Sequence, residues 1–291
     1  MISLPNVLFV GADKAGSTSI AAIIDDHPNA HVSPAKDVYY FTTEHHRGLN
    51  WYRRQFSPRP SHQVVAEVCH DYLYEPQAPG RIARELGEDV TILVCLRDPI
   101  DRAVSSWLHR RKHGYPGDFS EAAATLDDVL DHGDYGTHLS RWYETFRKEQ
   151  IVALLFDDLQ RDPASFATGL YERLGLPPHA VSPQALDPRL RATEPRNRLL
   201  ASMVKRGAVA VRNLGAPRLV GRIKASRAVQ VLLYRQIDRR PQLAPVVLSD
   251  LRARYAPEVA LAARLTGLDL LRAWPRYAGD LSQAEASDRG R

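Results

Sequence analysis

The chain has 291 residues, 44% apolar and 25% charged, with a formal net charge of +5. That composition is ordinary for a globular protein and excludes a disordered or fibrous one; the length allows one large domain or two small ones. No apolar run reaches the roughly 18 residues that a membrane span needs, and the opening Met-Ile-Ser-Leu-Pro-Asn lacks the basic-then-apolar order of a secretory leader.

Along the chain, four short apolar runs read as strands, at 7–10, 64–68, 90–96 and 151–156. Each is rich in Val, Ile or Leu and nearly continuous, as parallel strands buried on both faces are. Helical patterns lie between them at about 17–26, 80–87, 99–113 and 137–149. The alternation predicts an α/β fold, a three-layer α/β/α domain with a central parallel sheet and right-handed crossovers. Asp98-Pro99 and Asp162-Pro163 have the order of helix starts, Asp as cap and Pro in the first turn. From about 195 the chain reads as mainly helical, with stops at Gly215-Ala216-Pro217 and at Pro241. The expected organisation is a single domain: a nucleotide-binding core over 1–190, a helical lid or acceptor region over 191–280, and a frayed polar tail at 281–291. Cys69 and Cys95 lie in or beside the apolar runs and read as buried thiols, so with no leader and no disulfide framework the expected location is cytoplasmic.

In open α/β sheets ligands sit beyond the carboxyl ends of the strands, so the residues there carry the functional signal. After the first run comes Gly11-Ala12-Asp13-Lys14-Ala15-Gly16-Ser17-Thr18-Ser19. A strand, a glycine-bearing loop with a lysine and a helix N-terminus make an anion cradle. An NTPase P-loop places its lysine after the second glycine; here Lys14 comes two residues before Gly16, and Ser17 takes the NTPase lysine's place. After the segment at 30–33 comes Lys36-Asp37, either a surface turn or a carboxylate placed as a general base. After 64–68 come His70 and Asp71, chemically competent but also compatible with a structural histidine. After 90–96 comes Arg97, with Ser105 eight residues on, about two helical turns later. A guanidinium and a hydroxyl suit a second phosphate, where the plainer reading is a salt-bridged arginine beside a capping aspartate. Two anion-binding strand ends predict a ligand phosphorylated at two places.

These residues together resemble the sulfotransferases that use 3′-phosphoadenosine 5′-phosphosulfate, and the heparan sulfate glucosaminyl type with its bacterial relatives more than the cytosolic phenol and steroid type. The family's K-x-G-[ST]-[ST]-[ST] loop holds the 5′-phosphosulfate, which implies that role for Lys14, Ala15, Gly16, Ser17, Thr18 and Ser19. Its arginine and serine eight apart hold the 3′-phosphate, which implies Arg97 and Ser105. The K-E-x-H-F-F stretch with its catalytic glutamate is matched by Lys36-Asp37-Val38-Tyr39-Tyr40-Phe41, with the shorter Asp37 at the base position. Gly48 to Tyr52, Tyr135 to Trp142 and Leu154 to Pro163 also match; the resemblance runs through about residue 180, with weaker echoes to Trp274. The family's second lysine, in E-K-[ST]-P-x-Y, is replaced: this chain has Glu67-Val68-Cys69-His70-Asp71-Tyr72. His70 or the basic tail could supply the missing charge. The late glycine-rich loop is not legible, and Arg191, Arg196 and Asn197 are its nearest candidates.

The resemblance implies in-line sulfuryl transfer with no metal required, leaving 3′,5′-adenosine bisphosphate. Lys14 would neutralise the bridging oxygen, and Asp37 or else His70 would take the acceptor proton. The acceptor is a hydroxyl or amine of a sugar, a lipid or a secondary metabolite; Tyr39, Tyr40, Trp51 and Trp107 are candidates for lining its cleft, although aromatics near strand ends are more often core. A P-loop kinase or NTPase is the alternative enzyme, and it needs an NTPase-type lysine and an acidic metal ligand where this chain has Ser17 and Arg97. A third reading uses the tail: 205–240 holds ten Lys/Arg against the single acid Asp238. That is a solvated basic face, a lid over an anion, or a peripheral membrane contact through the apolar run at 229–233. Nucleic acid is disfavoured, because Tyr234 alone supplies an interleaved aromatic.

Overall fold

A computed structural model describes residues 4–87, 89–187 and 241–279 in full, and 193–195 and 234–236 by their backbone. In chain order the elements are β1 (Val7–Gly11), α1 (Ser17–Asp26), β2 (Ala30–Val32), α2 (Leu49–Arg53), β3 (Val64–Val68), α3 (Ala78–Leu86), β4 (Thr91–Leu96), α4 (Pro99–Lys112), α5 (Phe119–Thr125), α6 (Asp127–Leu130), α7 (Tyr135–Thr145), β5 (Ile151–Leu155), α8 (Phe156–Arg161), α9 (Pro163–Arg173), α10 (Pro183–Leu186), β6 (Thr193–Pro195), β7 (Tyr234–Gln236), α11 (Pro245–Thr266) and α12 (Leu270–Ala273). Strands β1 to β5 form one parallel sheet in the order β2-β3-β1-β4-β5. Every residue of β1 and β3 is buried, which is why their sequences are continuous rather than alternating.

The order places β1 at the centre. The chain leaves β1 for the β2 side and leaves β4 for the β5 side, so a crevice opens at their carboxyl ends, where connections diverge. The loop before α1 and the residues after β4 meet there. Helix α4 starts as the Asp-Pro order predicts: the Asp98 carboxylate accepts from Ile100 N and Asp101 N, both at 3.0 Å. Asp162 caps α9 in the same way, accepting from Ser165 N at 3.1 Å.

Several boundaries differ from the sequence reading. The sheet has a fifth strand, β2, whose three residues are too few and too exposed for a periodic signal; it is paired on β3 from Ala30 with Val64. Phe156 belongs to α8 rather than to the strand before it, because Asp157 and Asp158 suit a helix's first turn. The helix expected at 137–149 is α7, which stops at Thr145. Phe146 turns extended and stacks on Trp142 at 5.9 Å between ring centroids, burying its ring. In the region read as mainly helical, β6 and β7 form an antiparallel pair whose partners are 39 to 43 residues apart, invisible to local periodicity.

Helix α11 packs across α7. Gly136 permits the close approach, since a Cβ there would lie 2.6 Å from Leu261 Cβ. The Glu258 carboxylate accepts from Thr137 N at 2.7 Å, and Arg254 bridges Asp131 and Asp134, both at 2.6 Å. The chain then returns to the crevice: Arg276 Nε reaches Asp98 Oδ2 at 3.1 Å, and the Trp274 indole donates to Asp157 at 3.0 Å. Arg191, Arg196, Asn197, the stop at 215–217, the tail at 281–291 and most of the basic 205–240 segment lie outside the described residues. Among the described residues no helix is long and apolar enough to cross a membrane.

Candidate active site

The loop between β1 and α1 is built around two left-handed residues. Lys14 has φ 60° and Gly16, which starts α1, has φ 87°. The Gly16 carbonyl accepts from Ser19 N at 2.9 Å and Ile20 N at 3.0 Å, leaving the first N–H groups of α1 facing the crevice without helical partners. Glycine is required at 16 twice over. Its φ disfavours any side chain, and a Cβ would sit 2.7 Å from Leu159 Cδ2 and 3.0 Å from Phe156 Cδ2 of α8. Gly16→Ala is therefore expected to lower stability by about 1–3 kcal/mol and to open the loop. Chemical denaturation checks the first effect; an unchanged midpoint would contradict this packing.

Lys14 is anchored through its backbone. Arg97, at the end of β4, donates Nη1 to the Lys14 carbonyl at 2.8 Å and lays its guanidinium 4.9 Å from the Phe156 ring centroid. Burial pulls the Lys14 pKa down, Asp13 opposes this, and the nearby charges of Lys36, Arg102 and Arg110 add to the lowering. Asp13 itself is locked: its Oδ1 accepts from Arg102 Nη1 at 2.9 Å and from the Tyr74 hydroxyl at 2.8 Å, with His132 Nδ1 at 3.4 Å. Burial would raise the Asp13 pKa, but Arg102 and His132 outweigh it and hold the carboxyl far below its usual range. The Asp13 charge is thus matched by Arg102, and Lys14 is left for an outside anion.

The second loop, after β2, is pinned to the sheet by Ser33 N on the Ala66 carbonyl and Asp37 N on the Val68 carbonyl, both at 2.9 Å. It carries two more left-handed non-glycine residues, Asp37 at φ 59° and Tyr39 at φ 58°. With Lys14 these are all such residues among the described ones, and strain of this kind concentrates at functional sites. Asp37 and His70 form one unit: His70 Nδ1 lies 2.8 Å from Asp37 Oδ1, and His70 Nε2 lies 3.2 Å from Asp71 Oδ1. Burial pulls the His70 pKa down, but the Asp37 hydrogen bond and the charges of Asp37 and Asp71 outweigh it and hold it above the ordinary value. Burial pushes the Asp37 pKa up, and the His70 hydrogen bond and charge reverse that to a net lowering. Burial raises Asp71. Lys36, on the same loop, donates Nζ to Ser17 Oγ at 3.0 Å and to Thr18 Oγ1 at 2.9 Å.

A cleft of about 840 Å³ has Lys14, Tyr39, His70, Asp71, Ser106 and His132 on its wall, whereas Ser17, Thr18, Ser19, Lys36, Arg97 and Ser105 do not line it. His70 is on that wall and Asp37 is not. Of the four aromatics proposed for an acceptor cleft, Tyr39 alone lines it. Tyr40 is buried, stacked on Tyr52 at 4.4 Å, and Trp107 is buried with its indole on the Gly117 carbonyl at 3.1 Å. Trp51 packs under Arg47, 4.8 Å from the guanidinium carbon. Glu67 is fully buried, with burial pushing its pKa up to about 7 against the hydroxyls of Tyr52 and Tyr72. It holds the two loops' aromatic packing rather than facing the cleft. Ser105 is half-buried on α4, and its neighbour Ser106 lines the cleft.

Lys36, Arg102 and His132 are site residues that sequence reasoning did not assign. Lys36 had a visible signal, a lysine beside a candidate base. Arg102 is 89 residues from its partner Asp13, so nothing local marks the pair.

Comparison with known proteins gives a consistent result. The chain is 30% identical over 207 residues to the human bifunctional heparan sulfate N-deacetylase/N-sulfotransferase 3, covering 63% of this chain and 24% of that protein. It is 27% identical over 183 residues to the mouse heparan sulfate glucosamine 3-O-sulfotransferase 3B1, covering 60% of this chain and 46% of that protein. The chain thus spans less than half the length of these curated relatives. A sulfotransferase crystal structure from Alicyclobacillus acidocaldarius matches with a TM-score of 0.66 at 22% identity, over 94% of this chain and all of that one, which shows a shared fold. The sulfotransferase domain family matches residues 4–197, from just before β1 through β6 and so across the loops that follow β1, β2, β3 and β4, and the chain belongs to that family.

Proposed function

We propose that the chain transfers a sulfuryl group from 3′-phosphoadenosine 5′-phosphosulfate to a hydroxyl or amine of a glycan or small-molecule acceptor, leaving 3′,5′-adenosine bisphosphate. The observation that carries this is the placement of His70, held from behind by Asp37, on the same cleft wall as Lys14. The residues fit such a donor: a glycine-only turn, free helix N–H groups and two lysines converge on one anion position. Bound there, the donor supplies an activated sulfate whose leaving group is a stable phosphate.

Lys14 holds positive charge where the departing phosphate oxygen gains negative charge, and Ser17, Thr18 and Ser19 with the α1 N–H groups hold the phosphate in place. Arg97 fixes the Lys14 backbone, and with Ser105 it is the candidate holder of the 3′-phosphate. His70 Nε2 accepts the acceptor's proton, with the acceptor atom taking the place beside Nε2 that Asp71 Oδ1 now occupies. Asp37 accepts the Nδ1 hydrogen and so fixes the tautomer that leaves Nε2 free. The relatives named for glucosamine 3-O- and N-sulfation favour a glycan acceptor. Arg191, Arg196 and nearly all of the 205–240 segment invoked for a membrane contact lie outside the described residues.

Isothermal titration tests the reading. The bisphosphate should bind with a dissociation constant in the micromolar range or tighter, at least about 100-fold below that for ATP. Tight ATP binding beside no bisphosphate binding would replace this reading with the kinase alternative.

A further inference from the structure

The charge missing from the end of β3 is present in the site, but on another loop. We propose that Lys36 is a catalytic residue of this site, the second cation on the transferring sulfuryl group, placed by its contact with Ser17 and Thr18 in the space that a lysine at position 68 would otherwise serve. The inference rests on the sulfuryl-transfer reading given above.

Four observations carry it. Lys36 Nζ sits 3.0 Å from Ser17 Oγ and 2.9 Å from Thr18 Oγ1, the two hydroxyls that follow Gly16 at the start of α1. An ammonium that contacts the anion-holding hydroxyls lies within two hydrogen-bond lengths of the anion itself. Both partners are neutral, and among the described residues no ion pair joins Lys36 to a carboxylate; the adjacent Asp37 carboxylate is taken up by His70. Lys36 is close enough to Lys14 to lower the Lys14 pKa by charge repulsion, and Asp13, the nearest counter-charge, is already matched by Arg102. Two ammonium groups held together, beside carboxylates already taken up by Arg102 and His70, call for an anion of more than one charge between them. Finally, Val68 cannot carry the charge: it is 1% exposed in the core, at the end of a strand buried on both faces. The Val68 carbonyl instead accepts from Asp37 N at 2.9 Å, which places the neighbouring Lys36 over the α1 terminus.

The step balances without a further reactant. A bond forms between the acceptor oxygen and sulfur, and the bond from sulfur to the bridging oxygen breaks. The electron pair stays on the phosphate, and the acceptor proton goes to His70. Lys36 donates N–H groups to the non-bridging sulfuryl oxygens throughout, leaving Ser17 and Thr18 free to turn to the phosphate. It is distinct from Lys14, which serves the bridging oxygen.

The test compares the wild type with Lys36→Ala and Lys36→Arg; the side chain is exposed, so both variants should fold. Titrations use two probes, 3′-phosphoadenosine 5′-phosphosulfate and the bisphosphate that lacks the sulfuryl group. Turnover is followed with water as acceptor, which needs no knowledge of the natural one. Lys36→Ala should weaken binding of the phosphosulfate about tenfold and of the bisphosphate less than threefold, and should cut turnover about 10²–10³-fold. Lys36→Arg should recover part of both. Equal weakening of the two probes, or turnover within threefold of wild type, overturns the proposal. A wild type that binds neither probe sinks the parent reading along with it, whereas a wild type that binds both and turns over beside an unimpaired Lys36→Ala sinks this one alone.

Discussion

Replacing His70 with alanine is expected to lower kcat by about 10²–10⁴-fold at saturating donor while leaving bisphosphate affinity within threefold. The reason is positional. Asp37 and His70 are both near the acceptor, but His70 lines the cleft and Asp37 does not. The imidazole is oriented from behind, by Nδ1 on Asp37 Oδ1 at 2.8 Å, and presents Nε2 forward. Asp37→Asn should keep the geometry but disturb the tautomer, so kcat falls there too. The pH profile separates the two roles. A base must be free of its proton, and the His70 pKa lies above its ordinary 6.5 because Asp37 outweighs burial. The rate should therefore rise with pH through a limb above 6.5 and then level. In Asp37→Asn burial is opposed by less, so the limb should move to lower pH while the plateau drops. A carboxylate base would behave oppositely: with Asp37 lowered from 3.8, wild-type activity would be flat from pH 5 upward. Full activity in His70→Ala beside a dead Asp37→Asn would transfer the role to Asp37.

That pairing shows where sequence reading stops. Strands β1, β3 and β4 were legible because burial on both faces forces a continuous apolar run, β5 at the sheet edge because its run is as apolar, and the loop after β1 because its chemistry needs Lys14, Gly16 and hydroxyls in adjacent positions. The caps Asp98 and Asp162 were legible for the same reason, since a cap acts within three residues. Asp37 and His70 were legible as rivals and not as partners, because their contact joins loops after β2 and β3 that only sheet order brings together. Tyr40 and Trp107 fitted cleft or core from sequence, and the core holds them: an aromatic near a strand end is recognisable by type, but which way it faces depends on Tyr52, Glu85 and Gly117. Lys36 was visible as a residue, and its role was not, because the hydroxyls that it contacts lie 18 and 19 positions earlier.

The largest stability effect is expected at Arg102, a fully buried guanidinium paired with Asp13 at 2.9 Å and donating also to the Asp128 and Val129 carbonyls. Arg102→Ala leaves the Asp13 carboxylate buried beside a cavity, and breaking one side of such a pair costs about 3–5 kcal/mol, a large share of the roughly 5–15 kcal/mol that stabilises a domain. Removing both charges, as Asp13→Asn with Arg102→Met, should cost clearly less than the single Arg102→Ala, because no unpaired charge remains. The pH dependence follows from the direction of the Asp13 shift. In the wild type its pKa is lowered, so its contribution is present above the unfolded value near 3.8 and persists until far more acidic pH. With Arg102 gone, burial, the strongest single influence, is opposed only by His132 and Tyr74 and is expected to prevail, so the pKa rises above that value and the variant gains stability as pH falls and the carboxyl takes up a proton. The gap between wild type and Arg102→Ala should therefore be widest near pH 7 and narrow toward pH 4.5. Denaturant unfolding at both pH values measures it, and a gap independent of pH would mean that lost packing, not an uncompensated carboxylate, carries the cost. Because Asp13 precedes Lys14, the same variant should also lose bisphosphate affinity, tying the buried pair to the loop that it supports.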